Sequence, residues 1–248
     1  MAQQRHLNNA PITEALIDIR TKLPDSFQTK EFIPLKEKLS NNYPIVEEQS
    51  LLRGHHEIKN GKPIDLQIEN FGIQGFLLKT NDKKQVVQFR IDGFTFNRLR
   101  PYSDWVDIRK EAQELWPLYM KFAKPEAVTR LAVRYINQLN IPLPIHDFSE
   151  YLISAPNIPE ELPQAVMSFL NRVTIYDSTQ EITANITHSF ESVPQPNSVT
   201  IILDIDVFKQ GDFPIDNKEI WYIFEKLRDM KNRIFFSSIT EKAARLFE

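Results

Sequence analysis

The sequence has no cysteine, and this absence removes several kinds of chemistry together. Without thiols a chain has no disulfide, no thiolate nucleophile and no cysteine-ligated zinc. Glycine is also scarce, with 6 among 248 residues, so the glycine-rich loops that cradle phosphates have little material to form from. We therefore expect a protein of a reducing compartment that lacks the common redox and nucleotide-binding motifs.

Long apolar runs and an excess of one charge are missing as well. No run of about 18 apolar residues occurs, which predicts that the chain does not span a membrane. Lys and Arg number 30 against 33 Asp and Glu, so net charge gives no general attraction to nucleic acid or anionic lipid. Residues 1–9 are polar and lack the apolar core of a signal peptide. Together these features predict a cytoplasmic protein.

The chain does contain an internal similarity between its two halves. Residues 11–19 resemble residues 127–135, at an offset of 116 positions, and Trp105 and Trp221 are separated by the same offset. Residues 90–94 also resemble residues 204–208. A repeat of this length is typical of a duplicated half-domain rather than of a solenoid unit.

Hydrophobic periodicity predicts a similar order of elements in each half. In the first half we expect a strand, a helix, three strands and a long helix: residues 14–22, 30–41, 46–58, 64–80, 85–96 and 101–122. In the second half we expect a strand, a proline-rich connection, three strands, a helix from Asp216 and a last helical segment: residues 128–138, 141–163, 166–176, 181–190, 199–209 and 240–247. The stretch 85–96 alternates apolar and polar residues, as a half-buried strand does.

These elements predict an α+β fold in which an antiparallel sheet packs under helices. The halves would be residues 1–124 and 125–248, and no Gly- or Ser-rich linker separates them, so we expect one continuous structural unit. The order of elements resembles that of the saddle-shaped TATA-binding protein, which is an analogy of architecture and not of function.

Two acidic residues are the best candidates for metal chemistry. Asp204 and Asp206 stand two apart on a predicted strand, so both point to one face about 7 Å apart. Such a pair can hold metals for phosphoryl transfer. In the internal repeat Asp92 stands at the position of Asp206, which favours a role in the scaffold.

His55 and Glu57 share a strand face but lack a third ligand nearby, so we predict no metal and no cofactor.

Four arginines could form a basic patch for an acidic partner or for RNA: Arg98, Arg100, Arg130 and Arg134. Arg130 and Arg134 are four apart on a strand and share a face. The alternative is internal pairing, because Glu14 and Asp18 occupy the equivalent places in the first half. Adjacent central strands would bring these four charges together.

The junction between the strand at 85–96 and the following helix is a candidate recognition surface. It places Asn97, Arg98, Tyr102 and Trp105 close together in sequence. Pro101 suits the first turn of a helix, because its missing N–H would be unpaired there in any case. The alternative is a demanding corner of the scaffold with no binding role.

Several segments together resemble an uncharacterised prokaryotic family of about this length that is sporadically distributed. They are residues 9–15, with the sequence NAPITEA; residues 96–102 with Trp105; Arg130 with residues 134–137; and residues 232–240. The resemblance spans nearly the whole chain and implies a bacterial or archaeal cytoplasmic protein. It implies no activity. Patchy distribution is typical of accessory genes, including antiphage defence and toxin–antitoxin systems.

The sequence therefore favours a non-enzymatic protein-binding or regulatory module over two alternatives, a nucleic-acid-binding protein and a metal-dependent phosphoryl-transfer enzyme. Candidate binding residues are Asn97, Arg98, Arg100, Tyr102, Trp105, Arg130 and Arg134, and no residue is proposed as catalytic. Some strands carry apolar side chains on both faces, as Ile202 and Phe208 show opposite the stripe that contains Leu203. Such strands need cover on both sides, so we expect a homodimer or a heteromer.

Overall fold

The computed structural model describes residues 1–59, 62–191, 197–215 and 217–248, with the side chains of residues 52–70, 191 and 217 outside the description. The strands are β1 Ile12–Lys22, β2 Ile45–Lys59, β3 Lys62–Lys79, β4 Gln85–Arg90, β5 Gly93–Leu99, β6 Ala127–Pro142, β7 Ser168–Asp177, β8 Ile182–Glu191 and β9 Ser198–Phe213. The α-helices are α1 Ile33–Leu39, α2 Trp105–Ala123, α3 Asn217–Ser238 and α4 Glu241–Ala244. Short 3-10 turns cover Thr29–Phe32, Phe148–Glu150 and Arg245–Phe247.

The fold is α+β, and its nine described strands form one antiparallel sheet. The order across the sheet is β2-β3-β4-β5-β1-β6-β9-β8-β7. The strands β1 and β6, which begin the two predicted halves, are therefore neighbours near its centre. The predicted class and the predicted antiparallel sheet are confirmed. No described helix is both long enough and apolar enough to cross a membrane.

The two long helices cover one face of this sheet, which we call the helix face. Helix α2 packs against β1 and β5, and α3 packs against β6 and β9. Ala15, Ile17 and Ile19 alternate along β1 and are fully buried on this face, as the period of a strand requires. The opposite face of the sheet, which we call the open face, carries the intervening polar residues.

An aromatic cluster fills the space between α2 and the sheet. Trp116 and Tyr119 of α2 stack with their ring centroids 5.4 Å apart, and Phe94 meets both rings. Phe32 and Phe89 extend the cluster towards α1 and β4. The Tyr119 hydroxyl donates to the carbonyl oxygen of Arg90 at 3.0 Å, so the polar end of this buried ring is satisfied.

The prediction of one strand over residues 85–96 is wrong, because the chain reverses inside it. β4 and β5 form a hairpin in which Arg90 pairs with Gly93, and Ile91 and Asp92 make the turn. The first half thus has four strands after its helix instead of three. The correspondence of Asp92 with Asp206 also fails. Asp206 lies within β9, paired with Arg134 of β6.

The predicted helix starting at Pro101 also begins later than expected. The Arg100–Pro101 peptide is cis, and the helix begins at Trp105 after an N-cap at Asp104, whose carboxylate accepts from the Asp107 N–H at 2.8 Å. Such an N-cap satisfies one of the donors left unpaired at a helix start. Asp216, the predicted start of α3, lies outside the described residues. The last helical segment is separate from α3, since Ile239 forms a bridge to Leu152.

The hairpin gives a stability prediction at Gly93. Its φ is 151°, and a Cβ there would stand 2.2 Å from the carbonyl oxygen of Ile19 on the neighbouring strand. We expect Gly93→Ala to lower the free energy of unfolding by about 2–4 kcal/mol, through strain and a backbone clash. Gly72→Ala is the matched control, because its φ is 75° but nothing lies within 4 Å of the added carbon. Urea denaturation of both variants measures the difference, and equal losses would contradict the clash.

Candidate functional site

A cavity of about 450 Å³ opens at one end of the helix layer. The N-terminal segment, the start of α2, the C-terminal half of α3 and one residue of β6 form its walls. Its lining includes Pro11, Tyr102, Trp105, Asn137, Arg228, Lys231, Asn232 and Phe235. We call this space the Lys231 cavity. Its volume is within the range of pockets that bind small molecules or single side chains.

The segments that carry the family resemblance meet at this cavity. Pro11 comes from residues 9–15, Tyr102 and Trp105 from the second segment, Asn137 from residues 134–137, and Asn232 from residues 232–240. These segments are far apart along the chain, and the sheet order brings them together. Tyr102 and Trp105, two of the residues predicted to bind, therefore lie at a shared site.

Lys231 is the most unusual residue of the cavity. It lies on α3, is only 8% exposed, and holds its Nζ 3.9 Å from the centroid of the Tyr135 ring. No carboxylate forms an ion pair with it among the described residues. Burial, and after it the positive charge of Arg228, lowers the pKa of Lys231 to about 7. A buried amine without a counter-ion is costly, because the charged form loses its hydration.

Two phenols and an amide complete the polar lining of this end of the protein. Tyr102 and Tyr135 meet edge to face, with ring centroids 5.9 Å apart. The buried Tyr135 hydroxyl lies near the Tyr102 side chain but makes no well-formed hydrogen bond among the described residues. Burial raises the pKa of both phenols, so each keeps its proton and remains a donor. Asn137 donates from its amide nitrogen to the carbonyl oxygen of Leu203 at 2.9 Å.

Asp104 at the cavity wall and Glu225 of α3 already have other partners. Glu225 accepts hydrogen bonds from the indole of Trp105, at 2.9 Å, and from Arg109. Asp104 caps α2. Neither carboxylate therefore compensates Lys231, and the interior of the cavity keeps a positive character.

The N-terminal segment forms one wall and is fixed by the C-terminal end of the chain. The Ala2 N–H lies 3.0 and 2.9 Å from the carbonyl oxygens of Phe236 and Ile239. The side chain of Arg5 pairs with Glu241 at 2.7 Å and with Glu248 at 2.6 Å. Leu7, further along this segment, is buried. This wall is therefore a structured part of the site.

The open face of the sheet carries a second polar arrangement, centred on the buried Asp18. One carboxylate oxygen accepts from Thr95 at 2.7 Å and from Arg90 at 3.2 Å. The other accepts from Arg20 at 2.9 Å and from Arg130 at 3.2 Å. We call these five residues the Asp18 network. It joins β4, β5, β1 and β6 through side chains.

The arginines of β6 continue this network onto β9. Arg130 binds both oxygens of Asp206, at 3.0 and 2.9 Å, and Arg134 binds both oxygens of Asp204. Arg130 also pairs with Asp18, so the internal pairing considered as the alternative to a basic patch occurs for this arginine. Arg134 pairs with Asp204 instead of Glu14, because β9 lies on the other side of β6.

The four arginines considered for a basic patch do not form one cluster in the structure. Arg98 points to the helix face, where it lies beside Gln85 and its charge acts on Tyr43. Arg100 is exposed at the end of β5. Arg130 and Arg134 are on the open face with Asn97, and both are paired with carboxylates. Strand alternation separates Arg98 from the β6 pair.

Sequence reasoning missed Lys231, Arg228 and Asn137. A signal for Lys231 does exist. It follows Leu227 by four positions on the buried face of α3, where the pattern of apolar residues predicts another apolar side chain. A similar signal exists for Asn137, which replaces an apolar residue in the alternating buried stripe of β6 between Tyr135 and Leu139.

The candidate metal pair lacks the surroundings of a metal centre. Asp204 and Asp206 share a face, as predicted, but each accepts from an arginine. The described part of the chain contains no group of three or more His, Asp or Glu side chains that could hold a metal ion. The side chains of His55 and Glu57 lie outside the described residues.

The lowered pKa of Lys231 predicts a pH dependence of stability. Between pH 7 and about 10.5 the unfolded chain binds this proton and the folded chain does not, so the contribution of Lys231 to stability rises with pH. We expect Lys231→Met to stabilise the protein at pH 6, by a few kcal/mol. This gain should shrink steadily as the pH approaches 10. Urea denaturation at a series of pH values measures it, and a constant difference would contradict the lowered pKa.

The Asp18 network predicts a large loss when its acceptor is removed. Asp18→Ala leaves buried donors of Arg90, Arg130 and Thr95 without their partner, so we expect a loss of about 3–5 kcal/mol in the free energy of unfolding. Asp92→Ala is the control, since Asp92 also binds Arg20 and Arg90 but its side chain is 55% exposed. That variant should lose less than about 1 kcal/mol. Thermal and urea unfolding of both variants measure these losses. Equal losses for Asp18→Ala and Asp92→Ala would contradict the role of burial.

Comparison with known proteins finds no similarity from which a role for either polar arrangement could be transferred. No protein family matches the chain. No curated protein matches it either. The chemistry of the Lys231 cavity is therefore the basis for proposing a function.

Proposed function

We propose that this protein is a non-enzymatic binding module that receives an acidic group of a partner protein in the Lys231 cavity. The single observation that carries the proposal is the buried amine of Lys231, which has no carboxylate partner among the described residues. A carboxylate entering the cavity would supply the missing counter-charge. The gain in binding free energy would be large inside the cavity, because charges attract more strongly where water is excluded.

A second cation strengthens the preference for an anion. Arg228 lines the same cavity one helical turn before Lys231, and its charge disfavours protonation of the lysine. The nearest carboxylate to Arg228 is its exposed neighbour Asp229, at 3.7 Å, which is a weak surface contact. An anion between the two cations would relieve their repulsion and raise the pKa of Lys231.

The apolar part of the lining suits a side chain or chain end rather than a bare ion. Tyr102, Trp105 and Phe235 line the cavity beside the two cations. Aromatic walls bury the apolar atoms next to a carboxylate, as anchor pockets of protein interfaces do. A glutamate side chain or a C-terminal residue offers this combination of one acidic end and a short apolar body.

The two alternative functions have weaker support. Metal-dependent phosphoryl transfer would need Asp204 and Asp206 to leave the arginines that now bind both of their oxygens. Nucleic-acid binding would need a basic surface, but Arg130 and Arg134 are paired and Arg98 points to the helix face. Neither site offers the free groups that its chemistry requires.

The proposal also includes the origin and setting of the fold. We propose that residues 1–124 and 125–248 descend from a duplication, with an order of elements like that of the TATA-binding protein. The adjacent central strands β1 and β6, each followed by further strands and a long helix, support this. The resemblance to a sporadic prokaryotic family favours a cytoplasmic accessory role such as antiphage defence.

Calorimetric titration with an acetylated tetrapeptide that ends in glutamate tests the proposal. The same peptide ending in glutamine amide, and inorganic phosphate, are the control probes. We expect the acidic peptide to bind and Lys231→Met to weaken its binding at least tenfold, since the charge that pairs with it is lost. Binding should also be weaker at pH 9 than at pH 6, because the free amine has a pKa of about 7.

Arg233→Gln is the matched variant, because Arg233 lies on the same helix but is exposed to solvent. It removes one positive charge and should leave the affinity unchanged. Equal effects of the two substitutions would indicate nonspecific attraction and contradict the proposal. Binding of phosphate alone would point to a small anion as the ligand instead of a partner protein.

A further inference from the structure

The two edges of the sheet differ in how well they are protected against pairing with another strand. The outer strand β2 pairs with β3 through three shifts of register and carries Glu47 and Glu48. Irregular register and charged side chains are the usual protection of an edge. The opposite edge, β7, pairs with β8 in an unbroken register over all ten of its residues. Its outer backbone groups have no strand beside them in the described sheet.

Apolar side chains of β7 are exposed on both faces of the sheet. Val173 and Ile175 are on the helix face, where they pair with Ile186 and Ala184 of β8. Leu170 and Tyr176 are on the open face and are 75% and 63% exposed. Arg172 is the only charged residue between Ser168 and Tyr176, and that stretch has no proline. A long, regular and apolar edge of this kind is a site for strand addition.

We propose that β7 is a homodimer interface, in which the β7 strands of two copies pair antiparallel across a two-fold axis and continue the sheet. A two-fold axis perpendicular to the sheet keeps the helix faces of both copies on the same side. Each residue then stands opposite one of the same face, so the two positions are both odd or both even.

One register of this kind matches the chemistry of the strand. With Thr174 on the axis, Val173 stands opposite Ile175 of the second copy, and Arg172 stands opposite its Tyr176. The first pair is apolar, and the second places a guanidinium against an aromatic ring. Asn171 then stands opposite Asp177, so each residue from Asn171 to Asp177 has a suitable partner. Moving the axis to Val173 would instead place Leu170 opposite Tyr176 and Arg172 opposite Thr174. Arg172 would then lose its aromatic partner.

The absence of cysteine allows a direct test of this register in the full chain. Thr174→Cys places two thiols opposite each other on the axis, with Cα atoms about 5 Å apart, which a disulfide can bridge. We expect this variant to form a covalent dimer rapidly under mild oxidation. Leu170→Cys is the control on the same strand and face, and its two thiols would lie about 26 Å apart. Equal rates of cross-linking in the two variants would overturn the proposal.

Light scattering on the unmodified chain and on two charge variants gives an independent measurement. We expect the wild-type chain to be a dimer that dissociates on dilution. Tyr176→Glu places a carboxylate opposite Arg172 and should tighten the dimer, whereas Tyr176→Arg places like charges opposite each other and should weaken it at least tenfold. Circular dichroism confirms that both variants are folded. A wild-type monomer at all concentrations, or equal behaviour of the two variants, would overturn the proposal.

Discussion

The antiparallel pairing of β1 with β6 is the contact on which the rest of the structure depends. These strands begin the two halves of the chain, and their ladder joins what would otherwise be two separate sheets. Alternation along them sends Ile17 and Val133 to the helix face and Asp18 and Arg134 to the open face. A slip of one residue would exchange the two sets, so burial of the apolar set fixes the register.

The two faces of this ladder support different kinds of interaction. On the helix face, α2 and α3 bury aromatic and aliphatic side chains, including the aromatic cluster around Trp116. On the open face, carboxylates and guanidiniums satisfy one another around Asp18. Because those charges are balanced by partners, the open face offers little free charge to a ligand. Lys231, which has no ion pair among the described residues, lies elsewhere, in the cavity that the N-terminal segment helps to line.

The Lys231 cavity exists because segments from both ends of the chain close over the ends of the two long helices. The N-terminal segment is held by carbonyl oxygens at the C-terminal end of α3 and just after it, and the Trp105 indole donates to Glu225 between the two helices. Neither helix alone would bury Lys231. Helix α3 packs on β6 and β9 and does not cover the β7 edge at the far side of the sheet. The proposed ligand site and the proposed dimer interface thus lie in separate regions of the molecule.

Periodicity determined the class of fold and most element positions, because the alternation of apolar residues is a local property of the chain. It failed at residues 85–96, where Gly93 permits a tight reversal that the apolar pattern does not reveal. Pairing of Glu14 and Asp18 with Arg130 and Arg134 was an alternative that required adjacent strands, and β1 and β6 are adjacent. Only tertiary structure decided which charges pair and which stay unpaired, since β9 supplies Asp204 to Arg134 while no described strand supplies a carboxylate to Lys231. Burial depends on contacts between distant segments, and these the sequence does not encode locally.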